Sequence, residues 1–136
     1  MTVEVSLAIS AVEDGARPSA RFSYFPLQAV HKGVQVITCY LKYVIDPYKV
    51  AEFERYSKMW IPLVRKLGGQ HHGYFLPSEG ANNIAIALFT FPSLAKYEEY
   101  RKASFKDAEC QAAFRYAEET RCVVSCERSF MRPVFE

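Results

Sequence analysis

Between residues 34 and 135 the hydrophobic pattern changes period in one fixed order: two, then three-to-four, then two and two, then three-to-four, then two again. Side chains alternate sides along a strand and come round every 3.6 residues along a helix, so the order reads strand, helix, strand, strand, helix, strand. Few chain paths satisfy it. The simplest is an α+β unit of the ferredoxin-like βαββαβ type, with the helices on one face of a four-stranded sheet. The opposite face is then uncovered, which makes a second copy of the chain the expected partner.

Residues 34–45 read as the first strand. Ile37, Cys39, Leu41, Tyr43 and Ile45 share one side; Val36, Thr38, Tyr40, Lys42 and Val44 share the other, whose mixed character suits a partly polar enclosure. Asp46-Pro47 opens a helix, because Asp accepts from free first-turn N–H groups and Pro already holds a helical φ. Val50, Phe53, Ser57, Trp60, Val64 and Leu67 form its core stripe, Pro62 is expected to kink its last turns, and Gly68-Gly69 ends it. Residues 70–77 and 84–91 read as a strand pair joined across Ser78-Glu79-Gly80-Ala81-Asn82-Asn83, a run of turn formers. Pro92-Ser93 opens a second helical region, where Glu98 is spaced to pair with Lys102; Asp107 caps a further short helix through Cys110, Ala113, Phe114 and Ala117. Residues 121–133 read as the last strand.

A chain of 136 residues, half of them hydrophobic, supports one domain with a real core. Lys+Arg 17 against Asp+Glu 15 is too balanced to argue for nucleic acid or an acidic membrane as partner. No stretch approaches the roughly 20 apolar residues that span a bilayer, and no basic-then-apolar leader opens the chain, so the expected location is cytoplasmic. Cys39, Cys110, Cys122 and Cys126 contain no CxxC pair. Cys122 and Cys126 lie four apart on a strand, roughly 13 Å by strand rise, too far to bridge. Buried thiols in a reducing compartment are the expectation, with no metal site, since no Cys/His cluster has ligand spacing. Residues 1–33 lack a sustained period, although Val3, Val5, Leu7 and Ile9 alternate; they read as an N-terminal extension of weak or no independent structure before a domain of residues 34–136. A natural start near Val34 or Val36 is one expectation, which an intact Met1 peptide from the native source removes.

A set of short pieces recurs in order from the second strand onward: Gly73-Tyr74-Phe75, Ser78-Glu79-Gly80 and Asn83, then Ser93-Leu94-Ala95, Arg101, Asp107 and Phe114, then Glu127 and Arg132-Pro133. In that order and spacing the chain resembles the NIPSNAP family of the dimeric α+β barrel superfamily, over residues 36–133. The resemblance implies a homodimer in which two sheets face one another around a barrel. The chain departs from it at Ala87, where many relatives place His, at Phe89 and Phe91, where Trp and Tyr are common, and at Cys110, a frequent Trp. The third strand's cavity-side face is therefore expected to be more apolar than usual. The surface a partner would cover is expected to carry Val36, Tyr40, Val44, Phe89 and Phe91.

No GxSxG, HExxH, P-loop or post-strand GxGxxG is present, so no nucleophile or cofactor loop is nominated. The ligand-binding candidates are Tyr40, Lys42, His71, His72, Tyr74, Glu79, Asn83, Arg101, Glu127 and Arg132. His71 and His72 are adjacent on a strand, so they point to opposite faces and cannot share a metal; one could reach a cavity as a general base or haem ligand, while strand-end or surface residues is the plainer reading. Haem is the one cofactor left open, and none is required. Tyr40 and Lys42 sit two apart on the mixed side, placed to position a phenolic or carboxylate ligand, unless Lys42 snorkels to the barrel mouth. Glu79 and Asn83 flank the hairpin, where turn stabilisation is the plainer role. Arg101, Glu127 and Arg132 read as a structural ion-pair group or, alternatively, as an anion site.

Two functions follow. One is a homodimeric barrel that binds a small hydrophobic or aromatic molecule, with cofactor-independent oxygenase, isomerase or haem-handling chemistry drawn from fold-level analogy. The other is a noncatalytic protein-interaction module. A pocket where Tyr40, Lys42 and a His converge favours the first; a cavity plugged by Phe89, Phe91 and Tyr side chains favours the second.

Overall fold

Ile37–Ile45 (β1) is the spine of the sheet, flanked by antiparallel partners on both edges: Ile84–Phe91 (β3) on one side and Val123–Met131 (β4) on the other. Gln70–Phe75 (β2) pairs antiparallel with β3, which makes the strand order β2-β3-β1-β4. The structure, a computed structural model, describes residues 35–134. Residues 1–33, the alternation from Val3 to Ile9 and Val34 lie outside the described residues. Three α-helices complete the unit: Val50–Lys66 (α1), Leu94–Ser104 (α2) and Ala108–Thr120 (α3). This is the ferredoxin-like βαββαβ fold, with the second helical region divided in two.

The capping residues do what their chemistry suggests. Asp46 accepts from the Tyr48 N–H at 2.9 Å, but the turn it caps is a 3-10 turn, Pro47–Lys49, and α1 starts only at Val50. α1 continues through Pro62 and buries Phe53, Tyr56, Ser57, Trp60, Leu63 and Val64. Gly68 follows it at φ +104, a conformation a Cβ would strain. Ser93 Oγ accepts from Lys96 N–H at the start of α2, and Asp107 accepts from Cys110 N–H at the start of α3. Lys66 clamps that second cap from α1, bonding Asp107 at 2.8 Å and Glu109 at 2.7 Å. Arg121 ends α3 in the left-handed region at φ 57, so β4 begins at Val123 rather than at residue 121.

The register decides which side chains face the helices. β1 pairs Cys39 with Phe89, Leu41 with Ala87 and Tyr43 with Ala85, and residues opposite one another on an antiparallel ladder project to the same side. That side is the core, shared with α1, α2 and α3. Phe89 and Phe91, expected on the uncovered surface, therefore lie inside at 2% and 1% exposure, and Val36, ahead of the ladder, is buried at 4%. The face that no helix among the described residues covers instead carries Thr38, Tyr40, Lys42 and Val44 of β1 and Ile84, Ile86, Leu88 and Thr90 of β3, of which Thr90 is buried at 2%. Phe75, opposite Ile86, and Met131, opposite Thr38, extend its apolar part to both edges and are about half exposed.

α2 also turns differently from its expected pairing. Glu98 forms no ion pair with Lys102 among the described residues; it is buried, and the pair on this helix is Lys96 with Glu99 at 3.9 Å. Tyr97 and Tyr100 set the inward face by their apolar area, and Glu98 and Arg101, their neighbours on the helical wheel, are carried in with them. None of the four cysteines is in a disulfide. Burial pushes the Cys39 thiol up to about 11 and the Cys110 thiol up to about 12, so both are protonated at neutral pH. Among the described residues no helix is long and apolar enough to cross a membrane, and no three His, Cys, Asp or Glu side chains are grouped to hold a metal ion.

Candidate functional site

The concave site lies between the sheet and the helices. Its floor is Leu41 and Tyr43 of β1 with Phe89 of β3; Tyr74 of β2 and Arg128 of β4 close two sides; Trp60 and Val64 of α1 and Tyr100 and Arg101 of α2 form the roof. The void measures about 270 Å³ when its open mouth is included, but its enclosed part is small. In this state it has room for roughly one water.

The walls are aromatic and the polar atoms on them are mostly donors. Arg101 is 2% exposed, and neither its Nε nor its Nη2 has a hydrogen-bond acceptor. The Trp60 indole N–H is buried without an acceptor too. Arg128 Nη1 donates to the Tyr97 hydroxyl at 2.8 Å. Burial pushes the Tyr97 phenol up to about 12 and raises the Tyr100 phenol further, with the Arg128 and Arg101 charges working against that rise. Both tyrosines therefore stay protonated at neutral pH.

His71 stands beside this cavity, stacked on Tyr74 and Phe89 with ring centroids 5.1 and 5.3 Å away. Burial, then the charges of His72 and Arg65, lowers its pKa to about 4, so the ring is neutral at pH 7. The Gly73 N–H donates to Nδ1 at 2.8 Å, which assigns the ring proton to Nε2, a buried atom with no hydrogen-bond partner. With its lone pair already engaged, His71 is arranged as a donor and not as a general base. A haem does not fit here: the void has space for about a water, and neither nitrogen of His71 offers it a free lone pair.

The ten candidate residues divide among separate places. Tyr74 and Arg101 line the cavity, with His71 next to them. Tyr40, Lys42, His72 and Glu127 lie on the uncovered sheet face, where Lys42 and Glu127 are cross-strand partners. His72 Nε2 is 2.6 Å from Thr90 Oγ1, which bonds Thr38 Oγ1 at 2.8 Å, a polar string along that face. Tyr40 and Lys42 therefore do not converge with the cavity. Glu79 is exposed in the hairpin, and Asn83 opens β3, its carbonyl accepting from Ile45 N–H at 2.8 Å. Arg132 is exposed beyond the end of β4. The expected ion-pair group of Arg101, Glu127 and Arg132 does not form: Arg101 is inside the helix-side core, the other two are exposed, and none of the three makes an ion pair among the described residues. Of the lining residues that bear a polar atom, Tyr43, Trp60, Tyr100 and Arg128 are not among the ten candidates. For Arg128 a signal exists, since Cys126, Arg128 and Phe130 share one phase of β4 and two of the three are apolar.

The sequence model of one family, NIPSNAP, matches residues 40–135. The chain belongs to the NIPSNAP family. Its fold agrees: a NIPSNAP-like domain protein from Burkholderia xenovorans superposes with a TM-score of 0.63 at 21% identity, over 74% of this chain and 86% of the other. A NIPSNAP protein from Agrobacterium tumefaciens gives 0.62 at 23% identity, over 73% and 93%. A protein from Nitrosomonas europaea, described as a candidate antibiotic biosynthesis monooxygenase, gives 0.58 at 8% identity, over 82% and 96%. No curated protein matches the chain. At these identities the structural likenesses establish the NIPSNAP fold alone, and they leave the chemistry of the helix-side cavity to be argued from its own residues.

Proposed function

We propose that this NIPSNAP protein is a homodimeric α+β barrel that binds a small hydrophobic or aromatic molecule in the helix-side cavity of each copy. The observation that carries the reading is that cavity: aromatic walls from Tyr43, Trp60, Tyr74 and Phe89, with the guanidinium-bearing Arg101 and Arg128 among its lining residues. Apolar walls and a few convergent polar groups are the usual composition of a small-molecule site.

The pairing rests on the uncovered face. Four strands about 4.8 Å apart and eight residues long span roughly 500 Å² per copy, about 1,000 Å² when two faces meet. If roughly 60% of that is apolar, burial is worth about 15 kcal/mol at 25 cal/mol per Å², comparable with the cost of association. The face is thus just large enough, near the lower limit for a specific interface, and contacts at its edges from Phe75 and Met131 would add to it. Lys42 and Glu127 put one charge of each sign on the same face, so a two-fold copy meets no net repulsion.

Cofactor-independent oxygenation or isomerisation of the bound molecule enters by fold analogy with the Nitrosomonas europaea protein alone, and no side chain of the cavity is set up as its base. The smallness of the void favours a second reading, a noncatalytic interaction module whose core is simply filled. Native mass spectrometry of freshly purified full-length protein separates the two. The binding reading predicts a dimer carrying extra mass of a small organic molecule that solvent extraction removes. A dimer or monomer at bare polypeptide mass, with nothing extractable, supports the second reading against the first.

A further inference from the structure

The helix-side cavity is lined by two guanidinium groups, and no carboxylate is among its lining residues. Arg101 lies over the Phe105 ring, 5.3 Å from its centroid, and has no ion pair among the described residues. Glu98, one turn earlier on α2, is buried as well but makes no ion pair with it. The two donor atoms of Arg101 left without acceptors, Nε and Nη2, are the two donors of a single guanidinium edge. That edge has the spacing of two carboxylate oxygens and binds them as a parallel pair. The Trp60 N–H is a third unanswered donor on the same cavity. A second guanidinium, Arg128, adds positive potential from β4. A charge removed from water without a partner is strongly disfavoured, so a fold that keeps one in a cavity points to a partner that arrives from outside.

We infer that the cavity recognises the carboxylate end of a small organic acid, with the Nε–Nη2 edge of Arg101 as the anchor and the Trp60 N–H as an auxiliary donor. This rests on the small-molecule reading above and narrows the ligand to an anionic class. The head group takes the space that now admits one water, and an apolar body has to part the walls of Tyr43 and Tyr74, whose ring centroids stand 6.1 Å apart. Arg101 is a binding residue here, not an acid or base.

The test uses the full-length chain and four probes at fixed ionic strength: benzoate and hexanoate, with benzamide and hexanamide as neutral isosteres. Calorimetric titration is expected to show at least one carboxylate binding ten times or more tighter than its amide. In Arg101→Met that preference is lost. The variant's ligand-free Tm stays at or above the wild-type value, because Met fills similar volume without a lone buried charge. A strictly structural arginine would behave in the opposite way, so a steep fall in the ligand-free Tm overturns the proposal. Amides that bind as tightly as the acids also overturn it and leave the small-molecule reading standing. No binding by any probe overturns it as well, and the extractable mass on the native dimer then decides the wider reading separately.

Discussion

Arg128 Nη1 donates to the Tyr97 hydroxyl over 2.8 Å, and this bond ties the last strand to α2 across one side of the cavity. The phenol belongs to an aromatic group in which Tyr97 packs edge-on to Phe130 at 4.8 Å and to Phe91 at 5.7 Å. Removing only the hydroxyl should leave that packing in place. Tyr97→Phe is expected to lower stability by about 1.5–3 kcal/mol, the usual range for a lost hydrogen bond to a charged group. Urea unfolding of the two proteins measures it, and an unchanged midpoint would show the bond to be idle.

Gly69 follows α1 at a point where the backbone passes close to the core. A Cβ there would stand 2.6 Å from Phe91 Cζ and 2.7 Å from Val64 Cγ1. Phe91 is 1% exposed and held among Phe89, Tyr97 and Tyr100, so its ring has little room to yield. Gly69→Ala is expected to destabilise by about 1–3 kcal/mol through overpacking. A comparison with Gly68→Ala is informative, because Gly68 has nothing near its absent Cβ and should respond only through its φ of +104.

His71 makes the fold sensitive to acid. Its pKa falls from the usual 6.5 to about 4 on folding, chiefly by burial, so the unfolded chain binds its proton first. The neutral ring's contribution is complete above pH 6.5 and is lost as pH drops toward 4. The full span corresponds to about 3 kcal/mol. His71→Gln should therefore show a shallower loss of stability than the wild type between pH 7 and pH 4.5, in urea melts at each pH. Parallel curves would place the acid sensitivity elsewhere.

The uncovered sheet face gives the fourth prediction. Ile86 and Leu88 are half-buried at its centre and touch none of the helix-side core. Ile86→Glu should keep the circular dichroism of the wild type and sediment as a single copy, since the partner face would have to bury an unpaired carboxylate. A variant that remains dimeric at micromolar concentration would place the interface on another surface.

Much of the architecture was legible in the chain because period and capping act locally. Asp46, Ser93 and Asp107 announce their turns, and β3 starts and stops where its alternation does. The faces were harder. Phe89 and Phe91 look like natural occupants of a sticky outer surface, and only the register with Cys39 and Ile37 shows that they are inside. A strand's phase is visible in its own sequence, but which phase meets the helices depends on pairing. The candidate site divided for the same reason: Arg101 was marked, but its expected partners Glu127 and Arg132 belong to a different surface. Arg128 and Tyr100 went unmarked because their role appears only when α2 is laid over β4.

A crystal structure of the protein as purified decides between a paired sheet over a filled cavity and an open sheet over an empty one. The expected result is two copies related by a two-fold axis with Tyr40, Ile86 and Leu88 buried between their sheets, and non-protein density in the helix-side cavity against the Nε–Nη2 edge of Arg101. A sheet face left open to solvent, over a cavity holding at most a water while an acidic side chain swings in to pair Arg101, would contradict it.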